Sequence, residues 1–142
     1  MTTFVDTSAM YALLDDDDLN HQAADETFRL LFQGEPLVTH NYVVLESAAV
    51  VQRRLGSAAV RDLFDRLLPL IEVLWVDEAL HRTAVTSLVA AEKRQISLVD
   101  WTSFQVMRTR GIDNVFTFDG DFVRQGLQPV PSPQSSDSAI SR

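Results

Sequence analysis

A chain of 142 residues is long enough for one hydrophobic core and too short for two, so scaffold, site and partner surface must share a single domain. With 46% hydrophobic residues and no cysteine, that core has no disulfide framework, and the chemistry has neither a thiolate nucleophile nor a sulfur-ligated metal. Twelve basic against twenty acidic residues leave a formal charge of −8, which argues against a general nucleic-acid coat protein but not against a nuclease whose acidic site is filled by metal ions.

The N-terminus, Met1-Thr2-Thr3-Phe4-Val5-Asp6, meets a carboxylate after two strongly apolar residues and carries no signal-peptide core. No run of about 18 uncharged apolar residues follows, so no membrane span and a cytoplasmic location are expected. Thr3-Phe4-Val5 reads as a short buried strand and Thr7 to Leu14 as a helix. Asn20 to Phe32 places Ala23, Ala24, Thr27, Phe28, Leu31 and Phe32 at helical spacing. Leu37-Val38-Thr39 is a second strand, and Asn41 to Leu55 a strong helix stopped by Gly56. Ser57 is expected to cap a helix reaching about Leu68, before Pro69. Ile71 to Val76 is a third strand, Glu78 to Arg94 an amphipathic helix, and Ser97 opens another helix that ends at Gly111. Val115-Phe116-Thr117-Phe118 is a fourth strand. Gln128 to Arg142 holds three of the five prolines and five serines, with almost nothing to bury. The expected organisation is therefore a domain over 1–128 and a disordered tail over 129–142. Strands separated by helices imply a parallel α/β sheet covered on both faces.

Ligands of such sheets bind beyond the carboxyl ends of the strands. Asp6 follows the first strand and Asp119 the fourth, although Asp6, Thr7 or Ser8 can equally cap a helix and Asp119-Gly120 can be an ordinary turn. Glu46 is the only acid between Glu35 and Asp62, and its neighbours at three and four residues, Tyr42, Val43, Ala49 and Val50, offer no cation. A carboxylate so placed is costly unless a cation or hydrogen bonds meet it, or unless it simply faces water. Asp100 stands three residues after Ser97, which suits a capping box as well as a site.

Together these acids say more than singly. Four carboxylates at mutual distances of about 6 Å, in an effective dielectric near 20, repel by roughly 17 kcal/mol in sum, an upper bound that protonation relieves. That rivals the whole stability of a domain, about 5–15 kcal/mol. Protons or divalent cations are needed at pH 7, and all-oxygen ligation selects Mg²⁺ or Mn²⁺ over zinc. His21, His40 and His81 show no compact ligand spacing, so neither a zinc centre nor a histidine-based ribonuclease is expected.

Four segments carry a resemblance: Phe4-Val5-Asp6-Thr7-Ser8-Ala9, Val44-Leu45-Glu46, Ser97-Leu98-Val99-Asp100, and Thr117-Phe118-Asp119-Gly120-Asp121-Phe122. In this order the chain resembles the PIN-domain family, and within it the VapC-type toxins of type II bacterial toxin–antitoxin pairs. The resemblance implies a PIN-like three-layer α/β/α sandwich around a mainly parallel sheet of four to five strands. It implies an endoribonuclease in which Asp6, Glu46, Asp100 and Asp119 bind Mg²⁺ or Mn²⁺ and drive hydrolysis of RNA phosphodiester bonds. Ser8 and Thr117 would support the site, and Asp121 matches a further acid carried by many members. A VapB-like antitoxin and a homodimer are implied as partners.

An RNA partner sits awkwardly with the charge of −8, which two Mg²⁺ would bring to −8 + 4 = −4. Eleven of the twelve basic residues are arginine, suited to bidentate phosphate contact, and Arg53, Arg54 and Arg108 are the candidates for RNA. The Asp15-Asp16-Asp17-Asp18 run reads as a solvated, self-repelling loop with one member capping the next helix. The apolar faces of the first helical pairs offer a groove for an antitoxin helix. A receiver domain would need a lysine after a late strand, yet the sole lysine, Lys93, falls in a helix. A haloacid-dehalogenase-type phosphatase would need Asp-x-Asp after the first strand, where Thr7-Ser8 follows Asp6. Two readings stand beside the toxin: a catalytically silent PIN module that binds RNA or protein, and a PIN RNA-processing nuclease without an antitoxin.

Overall fold

The computed structural model describes residues 1–133. Five parallel strands form one sheet in the order β3-β2-β1-β4-β5. The elements run β1 (Thr3–Val5), α1 (Thr7–Leu14), α2 (His21–Phe32), β2 (Leu37–His40), α3 (Asn41–Leu55), α4 (Ser57–Asp62), β3 (Glu72–Leu74), α5 (Glu78–Ala91), α6 (Leu98–Arg110), β4 (Asn114–Phe116), α7 (Asp121–Arg124) and β5 (Gln128–Val130). Helices flank the sheet as a three-layer α/β/α sandwich, with α1 against α2 and α3, and α5 against α6.

The central strands are mostly apolar because both faces are covered, and the polar Thr39 and His40 of β2 are buried and hydrogen-bonded. All residues of β1 and β2 are buried, and Phe4, Val5, Val115 and Phe116 of β1 and β4 are wholly inaccessible. Phe104 and Met107 of α6 and Phe122 of α7 complete the core, Phe104 and Phe122 packing edge-to-face at 5.0 Å.

Topology fixes the place of the site. From β1 the chain winds outward through β2 to β3, then returns by α5 and α6 to the other side of β1 and continues to β5. The reversal lies between β1 and β4, so their carboxyl ends border the crevice where such sheets take ligands. Val5 pairs with Phe116, and the Asp6 N–H donates to the Phe116 carbonyl at 3.0 Å, so the residues just past these two strands are held side by side.

Several expectations are corrected. Residues 129–142 do not all form a tail: Gln128–Val130 are β5, parallel to β4. Pro129 fits there because an edge strand has one side free of ladder bonds. Residues 134–142 of the expected tail lie outside the described residues. The fourth strand ends at Phe116, so Asp119 lies three residues beyond it rather than directly after it. Ser57 is the first residue of α4, and Gly56, with φ 90°, takes the cap position that favours glycine. The helix expected to reach Leu68 stays α-helical only to Asp62, widens through a π turn (Leu63–Leu67) and then tightens into a 3₁₀ turn (Leu68–Leu70) containing Pro69.

Candidate active site

At the carboxyl ends of β1 and β4 lies an open cleft of about 500 Å³, and Asp6, Glu46, Asp100 and Asp119 all line it. Each arrives on a different element. Asp6 is the N-cap residue of α1, Glu46 sits in the second turn of α3, Asp100 in the first turn of α6, and Asp119 in the connection from β4 to α7.

Asp6 is 3% exposed, and its surroundings are built around an anion. The Ser8 and Thr117 hydroxyls both donate to Oδ2, at 3.0 and 2.9 Å. Each hydroxyl in turn accepts a backbone N–H, Ser8 from Phe118 at 2.9 Å and Thr117 from Asp119 at 3.0 Å. The two hydroxyl oxygens also lie 3.1 Å apart, so Ser8, Thr117 and Asp6 Oδ2 form one hydrogen-bonded cluster. Ser8 and Thr117 therefore touch and orient an acid of the cleft. The Thr117 N–H is itself held by the Val130 carbonyl at 3.2 Å, which ties the unforeseen β5 to the site.

Burial works against this network. It pushes the Asp6 carboxyl up to about 7, with desolvation the largest cause, opposed by the Thr117 hydroxyl and reinforced by the charge of Asp100. Asp100 is raised to about 6, again chiefly by desolvation, with Asp119 and Glu46 adding repulsion. Asp119 is raised by desolvation first, while the Asp121 backbone N–H stabilises its charge. Desolvation exceeds mutual repulsion at all three acids, and the leading repulsions join Asp100 to Asp6, Asp119 and Glu46.

Asp100 makes the capping box and also lines the cleft. Its Oδ2 accepts the Ser97 N–H and hydroxyl at 2.9 and 3.1 Å while the Asp100 N–H donates to Ser97 Oγ at 3.2 Å, a complete capping box. The box occupies one carboxylate oxygen and leaves the other for the cleft. Asp119 Oδ1 accepts the Asp121 N–H at 2.9 Å. Asp121 is buried and ion-paired with Arg124 at 2.5 Å, and one oxygen each of Asp100, Asp119 and Asp121 lie within 4.8 Å of one another. Asp121 thus extends the cluster behind the cleft wall.

The donor set fits a hard divalent ion. It offers carboxylate oxygens from separate elements and no thiolate. Hydroxyls aimed at a carboxylate, in a place where burial disfavours the anion, call for a cation on its other side. The nearby imidazole is not a ligand: His40 Nδ1 accepts the Tyr42 and Val43 N–H groups at 3.2 and 3.3 Å as N-cap of α3. Its Nε2–H must therefore donate to Ser103 Oγ, at 2.8 Å, which passes its own proton to the Val99 carbonyl at 2.9 Å. Burial drives His40 down to about 3, so it stays neutral and structural.

Of the arginines named for RNA, Arg54 lines the cleft, whereas Arg53 and Arg108 do not. Arg108 lies eight residues beyond Asp100, about 12 Å along α6, and donates to the side-chain carbonyl of Gln125. Tyr11, Asp18, Asn20 and Gln95 line the cleft without having been anticipated. Tyr11 follows Ser8 by three residues and shares its helix face, a spacing that does point to it. Asp18 was read as part of a solvated loop; Asp16 and Asp17 are exposed, but Asp18 Oδ2 caps the Asn20 N–H at 2.9 Å and turns to the cleft.

A PIN domain family model matches residues 3–126. The 23S rRNA-specific endonuclease VapC20 of Mycobacterium tuberculosis is 40% identical over 129 residues, covering 89% of this chain and 96% of that protein. The crystal structure of VapC20 from M. tuberculosis, a sarcin–ricin loop cleaving toxin, superposes with a TM-score of 0.80 at 34% identity, over 89% of this chain and 96% of that one. VapBC2 from Rickettsia felis, bound to a promoter DNA fragment, superposes with a TM-score of 0.66 over 87% of this chain and 92% of that one, and at 13% identity it shows the shared fold alone. With this fold and this gathering of acids, the chain belongs to the PIN-domain family, as a VapC-type toxin endoribonuclease.

Proposed function

We propose that this endoribonuclease cuts the sarcin–ricin loop of 23S rRNA, in the cytoplasm, using Mg²⁺ or Mn²⁺ held by Asp6, Glu46, Asp100 and Asp119. The observation that carries the reading is Asp6: a buried carboxylate receiving two hydroxyl protons, on the wall of one cleft with three further acids. The similarity to VapC20 supports the substrate. Among the described residues no helix is long and apolar enough to cross a membrane.

In this reading the divalent ion supplies water that ionises near neutral pH and offsets charge on the phosphate oxygens. The residues provide the geometry. Ser8 and Thr117 fix Oδ2 of Asp6, which leaves Oδ1 as the oxygen with coordinating capacity. The capping box fixes Asp100 in the same way, and the Asp121 N–H fixes Asp119. Three of the four carboxylates are thus oriented before any ligand arrives, so little side-chain entropy is lost on binding. Glu46 projects from α3 as the fourth oxygen donor, and Asp121, paired with Arg124, supports Asp119 from behind. Arg54 is the RNA contact inside the cleft; Arg53 and Arg108 contact RNA, if at all, only outside it.

A VapB-like antitoxin is the proposed partner. An apolar groove of about 240 Å³, lined by Leu13 and Leu14 of α1, Phe28 of α2, and Leu67 and Leu70 beyond α4, suits an amphipathic helix. A homodimer belongs to the same reading, and light scattering measures it. The decisive test is cleavage of a sarcin–ricin stem-loop RNA with Mg²⁺. Wild type cuts it and EDTA stops the reaction, while Asp6→Asn is inactive with an unchanged circular dichroism spectrum. Full activity in folded Asp6→Asn would overturn the assignment.

A further inference from the structure

We propose that Tyr11 and Arg54 form a phosphate-docking unit beside the acidic centre, in which the Tyr11 ring holds the Arg54 guanidinium clear of the carboxylates to receive an RNA phosphate adjacent to the one being cut. This inference rests on the endoribonuclease reading.

Glu46, Val50 and Arg54 recur every four residues on α3, and all three line the cleft. Arg54 is the only basic residue among the described residues of that lining, where it faces Asp6, Asp18, Glu46, Asp100 and Asp119. A cation amid five carboxylates would ordinarily pair with one of them. The ion pairs among the described residues use Arg29, Arg66, Arg82 and Arg124 but not Arg54. Its guanidinium lies instead over the Tyr11 ring, 5.4 Å from the centroid.

Tyr11 is itself fixed. Its hydroxyl donates to Asp15 Oδ2 at 2.6 Å, and Asp15 also accepts the Asp17 N–H at 3.0 Å. The Tyr11 hydroxyl is the largest of the causes that hold the Asp15 carboxyl below the usual carboxylate range, the Asp17 N–H adds to it, and the nearby Arg54 charge contributes last without forming an ion pair. A guanidinium carries five N–H donors, and those not turned to the Tyr11 side chain offer the fork that matches a phosphate.

The position favours a phosphate beside the scissile one as its target. Tyr11 is five residues past Asp6, about 7 Å along α1, and Arg54 eight residues past Glu46, about 12 Å along α3. With its guanidinium at the Tyr11 ring and in no ion pair with the four acids, Arg54 is placed for the neighbouring phosphate of a bound strand. In a cleft this acidic, one fixed cation along the strand's path offsets the repulsion that the empty acids impose on RNA.

The test is steady-state cleavage of the sarcin–ricin stem-loop RNA over a series of KCl concentrations. Arg54→Ala raises KM about tenfold and changes kcat less than about threefold, the pattern of lost uniform binding. The slope of log kcat/KM against log salt becomes shallower by about 0.7–0.9, one phosphate contact. Tyr11→Leu raises KM several-fold in the wild-type background and not at all in the Arg54→Ala background, while Tyr11→Phe, which keeps the ring, stays near wild type. Arg54→Lys keeps the salt slope but loses part of the affinity, which tests the unit even if Tyr11→Leu does not fold. Cleavage with unchanged KM and salt slope in Arg54→Ala overturns this inference alone, as does an equal Tyr11→Leu effect in both backgrounds. Absence of cleavage of this RNA by the wild type overturns the sarcin–ricin reading and, with it, this inference.

Discussion

Replacing Asp6 by asparagine should stabilise the metal-free protein, and by an amount that depends on pH. The Asp6 carboxyl titrates at 3.8 when unfolded and at about 7 in the folded chain. Between those values the native state binds the proton and the unfolded state does not, so stability falls as pH rises through this window. The contribution is fully present below about pH 4 and lost above about pH 7. At roughly 1.4 kcal/mol per pH unit, the buried carboxylate costs the metal-free fold up to about 4 kcal/mol at pH 8. Asparagine keeps an oxygen for the Ser8 and Thr117 hydroxyls and carries no charge. Thermal unfolding in EDTA should therefore show Asp6→Asn above wild type by about 10 °C at pH 8, at about 3 °C per kcal/mol for a chain this size, with the curves meeting near pH 4. Saturating Mg²⁺ should reverse the order, because only the wild type gains binding free energy. A variant that melts at or below wild type at pH 8 in EDTA, or a difference independent of pH, would refute the reasoning.

Asp100→Asn retains an oxygen for the Ser97 donors, so it should abolish cleavage with α6 intact, whereas Asp100→Ala should also lose the box and about 1 kcal/mol of stability; matched melting curves and cleavage rates separate the two. His40 has the opposite pH sign. It stays neutral when folded down to about 3 but takes a proton below 6.5 when unfolded, so its contribution holds above 6.5 and is lost as pH falls toward 3. His40→Asn, which keeps a cap acceptor, should be less stable at pH 7 by roughly 2–3 kcal/mol for the lost ring packing, yet show a flatter acid limb in urea titrations between pH 3 and 6.5. Ending the chain after Leu127 should remove β5, strip the β4 edge and the Thr117 N–H of its acceptor, and lower both melting temperature and activity; ending it after Pro133 should leave both unchanged.

Much of this was legible in the sequence because it is local. Alternation of apolar strands with amphipathic helices placed Asp6 and Asp119 at the correct end of the sheet, and the absence of cations around Glu46 marked it as answering to something distant. What could not be read depends on tertiary packing. Pro129, Pro131 and Pro133 argue against a central strand but permit an edge one, and nothing local says that β4 lacks a partner on that side. Capping box and site looked like competing roles for Asp100 because a sequence does not reveal that one oxygen suffices for the box. The stacking of Arg54 on Tyr11 exists only through the packing of α3 on α1. Desolvation outranks repulsion at Asp6 because it is buried where β1 and β4 end side by side, and burial of that extent is a property of the assembled crevice.

A crystal grown or soaked with Mn²⁺, with data collected for the manganese anomalous signal, tests the central claim most directly. Manganese should appear within coordination distance of Asp6 and at least two of Glu46, Asp100 and Asp119, and should be absent from Asp6→Asn crystals treated identically. Manganese bound elsewhere on the molecule, or none in the cleft at saturating concentration, would contradict the account.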